Sequence, residues 1–170
     1  MARAQEQMTH EQVVAKIGSL TKGIRFAMLT TMDQSGQLHA RPMATQDLDF
    51  DGTLWFFTQR DSEKVDEFQR TPNVNVAYSD PGKQTYVSLA GTASLVDDAD
   101  KKKELWQAPL KAWFPQGLED PELTLIKVDV EGAEYWDSPN GKIVALVGLA
   151  KAVITGKPAQ NIGENKTVEL

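Results

Sequence analysis

The chain has 170 residues, no cysteine, 41% hydrophobic and 25% charged residues, and a formal net charge of -6. This is enough chain for one domain with its own core, and too apolar for a disordered one. The lack of cysteine excludes a disulfide scaffold, a thiol nucleophile, a zinc ribbon and a thiolate-ligated iron–sulfur cluster, and the acidic balance weighs against a general nucleic-acid binder.

Met1 to Gln12 is polar, and the longest apolar run is Ile143 to Ala150. A bilayer span needs ~20 apolar residues, so the expectation is a soluble, cytoplasmic protein. Thr9 to Leu20 is predicted as a helix, with Val13, Val14 and Ile17 at helical spacing and Thr9 and Gln12 placed for a capping box. Phe26 to Met32 and Gln37 to Leu48 read as strands joined by the Asp33-Gln34-Ser35-Gly36 turn. Asp51-Gly52 signals a hairpin into a third strand, Thr53 to Thr58. Asp61 to Arg70 is a short helix capped by Asp61.

Asn73 to Tyr78 is the fourth strand and Thr85 to Val96 the fifth, with Gly91 marking a bulge or a close backbone approach. Asp97 to Trp106 is a charged helix whose Lys101-Lys102-Lys103 run reads as a solvated face, and Leu110 to Phe114 adds a helical turn. Leu123 to Val130 alternates like a half-buried strand, and Glu134 to Asp137 is a separate short one. Ile143, Val147, Ala150 and Ile154 form the stripe of a last helix, stopped by Gly156 and Pro158. The expected division is a domain over residues 1–156 and a polar, flexible tail over 157–170. The fold class is mainly β (α+β): six to seven antiparallel strands closed into a small barrel with peripheral helices.

The stretch from Thr58 to Lys64 carries the clearest chemistry. It follows a strand and opens a helix, whose free N–H groups attract an anion. Thr58 and Ser62 add hydroxyls, Lys64 a charge, and Arg41 reaches the same place if the hairpin brings it across. A capped surface helix with ordinary charges accounts for the same residues. His10 and His39 have no partner at metal-ligand spacing, and no metal site is expected. Asp47, Asp49 and Asp51 read as the polar rim of a hairpin. Trp55, Trp106, Trp113 and Trp136 suit core packing or the flank of a flat aromatic ligand.

Arg41-Pro42-Met43-Ala44, Trp55-Phe56-Phe57-Thr58, Ser62-Glu63-Lys64, Trp113-Phe114-Pro115-Gln116-Gly117 with Asp120-Pro121, and Glu134-Tyr135-Trp136-Asp137 occur in that order. Together they resemble the general stress protein family of the pyridoxamine-phosphate-oxidase-like flavin-binding split barrels, over roughly Thr9 to Ile154. The resemblance implies a split barrel and a homodimer with flavin (FMN, or FAD) at the subunit interface. It implies that Arg41, Ser62 and Lys64 hold the flavin phosphate. It places Met43, Ala44 and Thr45 on the strand facing the isoalloxazine ring, and Phe57, Thr58 and Trp136 beside the cofactor. The residue-level phosphate site and the family site thus name the same side chains.

Glu63 stands where the oxidases carry arginine, and Asp137-Ser138-Pro139-Asn140 replaces their late arginine-rich segment. Oxidation of pyridoxamine phosphate is therefore not expected. The expectation is a flavin-binding stress protein, with a flavin-dependent reductase activity as one form. A non-enzymatic flavin carrier or sensor, a barrel binding heme through His39 or a deazaflavin, and a purely structural dimer are the alternatives.

Overall fold

The computed structural model describes residues 8–137 and 164–170. Helix α1 (His10–Thr21) begins with the capping box. The Thr9 hydroxyl accepts from the Gln12 N–H at 3.3 Å, and the Gln12 side-chain oxygen accepts from the Thr9 N–H at 2.9 Å. Strands β1 (Phe26–Met32), β2 (Leu38–Ala44) and β3 (Thr53–Gln59) lead to helix α2 (Glu63–Arg70). Strands β4 (Asn73–Asp80) and β5 (Thr85–Val96) precede helix α3 (Ala99–Leu105) and two 3₁₀ turns, Ala108–Ala112 and Gly117–Glu119. Strand β6 (Leu123–Asp137) and strand β7 (Glu164–Glu169) complete the described chain.

The seven strands form one antiparallel sheet in the order β2-β1-β4-β5-β6-β3, with β7 also on β6. The two terminal strands of this path, β2 and β3, share no ladder, so the curled sheet is a split barrel. Its interior is filled by Leu29, Val76, Leu89, Ile126 and Val128, covered by Val13 and Ile17 of α1 and Val65 and Phe68 of α2. Each such fully buried side chain contributes ~1.5–3 kcal/mol of transfer free energy. A second apolar cluster (Phe57, Leu105, Leu110, Leu123, Leu125) lies on the other face of β3 and β6, under α3 and the first 3₁₀ turn.

β6 has fifteen residues and two partners along one edge. Leu123 to Asp129 pair with β3, and Gly132 to Asp137 pair with β7. The change of partner coincides with a bulge opposite Ala90/Gly91. There Val130 donates to Gly52 at 2.9 Å, and the next carbonyl, Glu131, accepts from Leu170 at 3.0 Å. A Cβ on Gly91 would lie 2.2 Å from the Asp129 carbonyl oxygen, so only glycine fits without backbone movement.

Four local expectations are corrected. The second strand stops at Ala44 instead of Leu48, because β1 begins at Phe26 and, past Thr45–Arg25, β2 has no partner left. α2 starts at Glu63 with Ser62, not Asp61, at the N-cap; the Ser62 hydroxyl is spent on the Gln59 carbonyl, at 2.9 Å, and does not cap the helix. The two late strands are one, since Glu131 is the extra residue of a bulge and the ladder resumes at Gly132 without a turn. Within the expected flexible tail, Glu164–Glu169 form β7, which pairs with the exposed half-edge of β6. The predicted last helix, Ile143 to Ile154, lies outside the described residues.

Gly91→Ala is expected to cost about 1–3 kcal/mol by overpacking. The measurement is urea unfolding, with a lowered midpoint at unchanged slope.

Candidate functional site

Among the described residues, the split leaves two strand edges open. Thr45 donates to Arg25 and Asp33 to Gln37, so odd-numbered residues of β2 point their backbone groups at β1. Even-numbered ones (Ala40, Pro42, Ala44) point theirs into the split. On β3, Arg60 donates to Glu122, so Trp55 and Phe57 face the split with their backbone groups. Pro42 occupies an edge-facing position and has no N–H to offer, as expected of proline on an edge strand.

At one end of the split, α2 and the two strands bring together two cations and two hydroxyls. The Thr58 and Ser62 hydroxyl oxygens are 3.1 Å apart, and Lys64 Nζ donates to Thr58 at 3.3 Å. Arg41, whose side chain points to the barrel interior, donates to Thr31 and, at 3.1 Å, to Glu67 of α2. Lys64 is held below the ordinary lysine range, first by burial and then by the nearby Arg41 charge, with Glu67 and Glu63 opposing. A half-buried amine that faces a guanidinium is poised for an anion.

Farther along the same two strands, a cavity of about 690 Å³ opens between the end of β2 and the start of β3, closed by α1 and the first 3₁₀ turn. That volume is within the usual range for small-molecule sites. Thr45, Gln46, Trp55, Tyr78, Leu110 and Trp113 are in its wall. The Gln46 amide is buried, with neither its nitrogen nor its oxygen hydrogen-bonded to a described residue. Such a group is costly to leave unmade. Lys101 lies 5.2 Å over the Trp55 ring.

The family model described as "Pyridoxamine 5'-phosphate oxidase like" matches residues 12–160. The chain belongs to this family. It is 31% identical over 159 residues to the protein bli-3 of Neurospora crassa, covering 88% of this chain and 76% of that one. A general stress protein 26 candidate from Jannaschia sp. CCS1 superposes with a TM-score of 0.75 at 27% identity, over 94% of this chain and 99% of that one. The general stress FMN/FAD binding protein of Xanthomonas citri superposes with a TM-score of 0.63 at 29% identity, over 75% and 89%.

For this family member, the structure collects Arg41, Thr58, Ser62 and Lys64 at one place, and none of them is in the cavity wall. Ala44 and Thr45 line the cavity. The side chain of Met43 is in the barrel core. Phe57 packs edge-on against Trp106 at 5.6 Å, so only its backbone is available to the split. Trp136 is not with the others. Thr58 pairs with Thr124 near the start of β6, whereas Trp136 is the last residue but one of that strand, opposite Tyr86.

Glu67, Thr31 and Gln46 were not legible as site residues. A glutamate three residues after a lysine reads as a surface helix pair. A glutamine at a strand end reads as a polar edge. His39 has both nitrogens facing carboxylates, Asp33 at 3.3 Å and Glu67 at 3.5 Å, which lends no support to an axial heme role. No helix among the described residues is long and apolar enough to cross a membrane.

Lys64→Met is expected to raise the thermal midpoint of the ligand-free protein at pH 7, because it removes a desolvated charge beside another cation. The folded pKa of Lys64 lies below its unfolded value of 10.5, so the unfolded chain binds more protons in that interval. Wild-type stability then rises with pH towards 10.5, and the gap between the two proteins closes. Melting curves across that range check both signs.

Proposed function

We propose that the chain binds a flavin in the split, with FMN the expected form and FAD the related one. The observation that carries this reading is the convergence of Arg41, Thr58, Ser62 and Lys64 at one end of a slot whose walls are free strand edges. The residues fit such a group. The cations and hydroxyls suit a phosphate. About 13 Å of strand separates Arg41 from Thr45 at ~3.3 Å per residue, a span that a ribityl phosphate chain and its ring can cover. Ala44 offers an edge N–H and C=O, and the unpartnered Gln46 amide a further donor and acceptor, to the polar edge of the ring. The name of the Xanthomonas citri relative supports the same ligand class.

The bound flavin would supply electron transfer, while the protein supplies position and electrostatics. Arg41, Ser62, Thr58 and Lys64 hold the phosphate. The backbone of Ala44 and that of Phe57 border the ring, and Thr45 lines the cavity beside it. Catalytic residues are not assigned, and oxidation of pyridoxamine phosphate is not proposed. Oxidation of a reduced nicotinamide by the loaded protein separates a reductase from a carrier or sensor.

The second part of the proposal is a homodimer. The outer face of the sheet exposes Leu38 (67%), Phe26 (49%), Tyr86 (43%), Met28 (40%) and Trp136 (39%). By register, Met28 lies between Pro42 and Ala77, Phe26 faces Ala44, and Tyr86 faces Trp136. An exposed apolar surface of this kind marks an interaction site.

Arg41→Ala and Lys64→Ala should each weaken FMN binding by about 1–3 kcal/mol, the range for a lost charged hydrogen bond, measured by quenching of flavin fluorescence. Unchanged affinity in both variants would remove the phosphate-site assignment. Met28→Lys should convert the dimer to monomer in light scattering after gel filtration, with loss of FMN affinity. A wild-type monomer that binds FMN would remove the interface assignment.

A further inference from the structure

The cluster contains one side chain that a simple anion site would not carry. The Glu67 carboxylate is buried among the cations, its side chain only 10% exposed. It shares a face of α2 with Lys64, three residues before it. Its Oε2 accepts from Arg41 at 3.1 Å and from the Thr31 hydroxyl. The Thr31 oxygen in turn accepts from the other terminal nitrogen of Arg41. Arg41, Thr31 and Glu67 thus close a ring of three hydrogen bonds. Its other oxygen lies 3.5 Å from His39 Nδ1.

We propose that Glu67 positions the Arg41 guanidinium and sets the net charge of the anion site, and so limits the preference for a terminal phosphate over an internal one. This rests on the reading of the cluster as the phosphate site. The ring uses one N–H on each terminal nitrogen of Arg41 and leaves the remaining donors of the fork for a ligand. Two cations and one carboxylate leave one net positive charge where Arg41 and Lys64 alone would give two. Burial alone would raise the Glu67 pKa, yet the Thr31 and Arg41 hydrogen bonds bring it below the ordinary range, so the charge is present at neutral pH.

A phosphate monoester carries about −1.5 to −2 at pH 7, whereas each phosphate of a dinucleotide carries a single charge. Repulsion by Glu67 therefore penalises FMN more than FAD, and leaves riboflavin, which has no phosphate, unaffected. Glutamine has the same shape and can still accept from Arg41 and Thr31, so Glu67→Gln removes the charge and keeps the ring.

The test is fluorescence titration of the full chain with FMN, FAD and riboflavin, for wild type, Glu67→Gln, Thr31→Val and Arg41→Ala. Glu67→Gln should tighten FMN at least fivefold and FAD by a smaller factor, with riboflavin within twofold of wild type. A gain of affinity is not what loss of a merely structural contact produces. Thr31→Val opens the ring and should weaken FMN at least fivefold at constant riboflavin affinity. If Glu67→Gln leaves the FMN to riboflavin ratio unchanged, weakens FMN, or shifts all three flavins equally, the proposal is overturned. If that variant does not fold, Thr31→Val decides: a selective loss of FMN supports the proposal, and an unchanged ratio overturns it. Arg41→Ala with wild-type FMN affinity would instead overturn the phosphate-site reading beneath both.

Discussion

The architecture turns on one close backbone approach, where Gly91 of β5 meets the Asp129 carbonyl of β6. The bulge formed there lets a single long strand change partners, from β3 to β7, without losing its ladder to β5. Because β7 takes the second half of the edge, β3 is confined to the first. Among the described residues the far sides of β3 and β2 are both unpaired, and the opening between those two strands offers free backbone on both walls. The candidate site is thus a product of how the sheet closes, and not an addition to it.

The electrostatics of that opening run against the stability of the ligand-free protein. Lys64 is desolvated and faces Arg41, and the compensation from Glu67 is partial. A fold with no ligand to bind gains nothing from such an arrangement. Proteins accept strain of this sort where a bound partner relieves it. The orphaned Gln46 amide in the cavity wall is a second sign of the same kind, made of dipoles instead of charges. Both lie along one pair of strands, so one elongated ligand could satisfy both.

Most of the fold was legible because its local signals agree with its packing. Thr9 and Gln12 announced the start of α1, and the apolar run Phe26 to Met32 and the long segment Thr85 to Val96 read as strands with the bounds observed for β1 and β5. The errors fell where tertiary context overrides local preference. Gln37 to Leu48 reads as one strand, but a strand lasts only as long as its partner. Glu131-Gly132 reads as a break, but a bulge absorbs it. Lys166 to Val168 looked like mobile tail, but the open half-edge of β6 orders it. For the site, types and spacing named the residues that carry positive charge. They could not name Glu67, which meets its partners only because α2 packs it against Thr31 of β1 and Arg41 of β2.

Pro42 has a consequence beyond the site. An unpaired strand edge inside a slot is a template for another extended chain, and many aggregates begin with such an addition. With no N–H at its centre, the open edge of β2 cannot complete a regular ladder with an intruding strand. A small molecule, which needs only one or two of the remaining groups, is not hindered in the same way. The proline thus works as a filter on the kind of guest the opening admits, and makes the groove a poor template for strand addition.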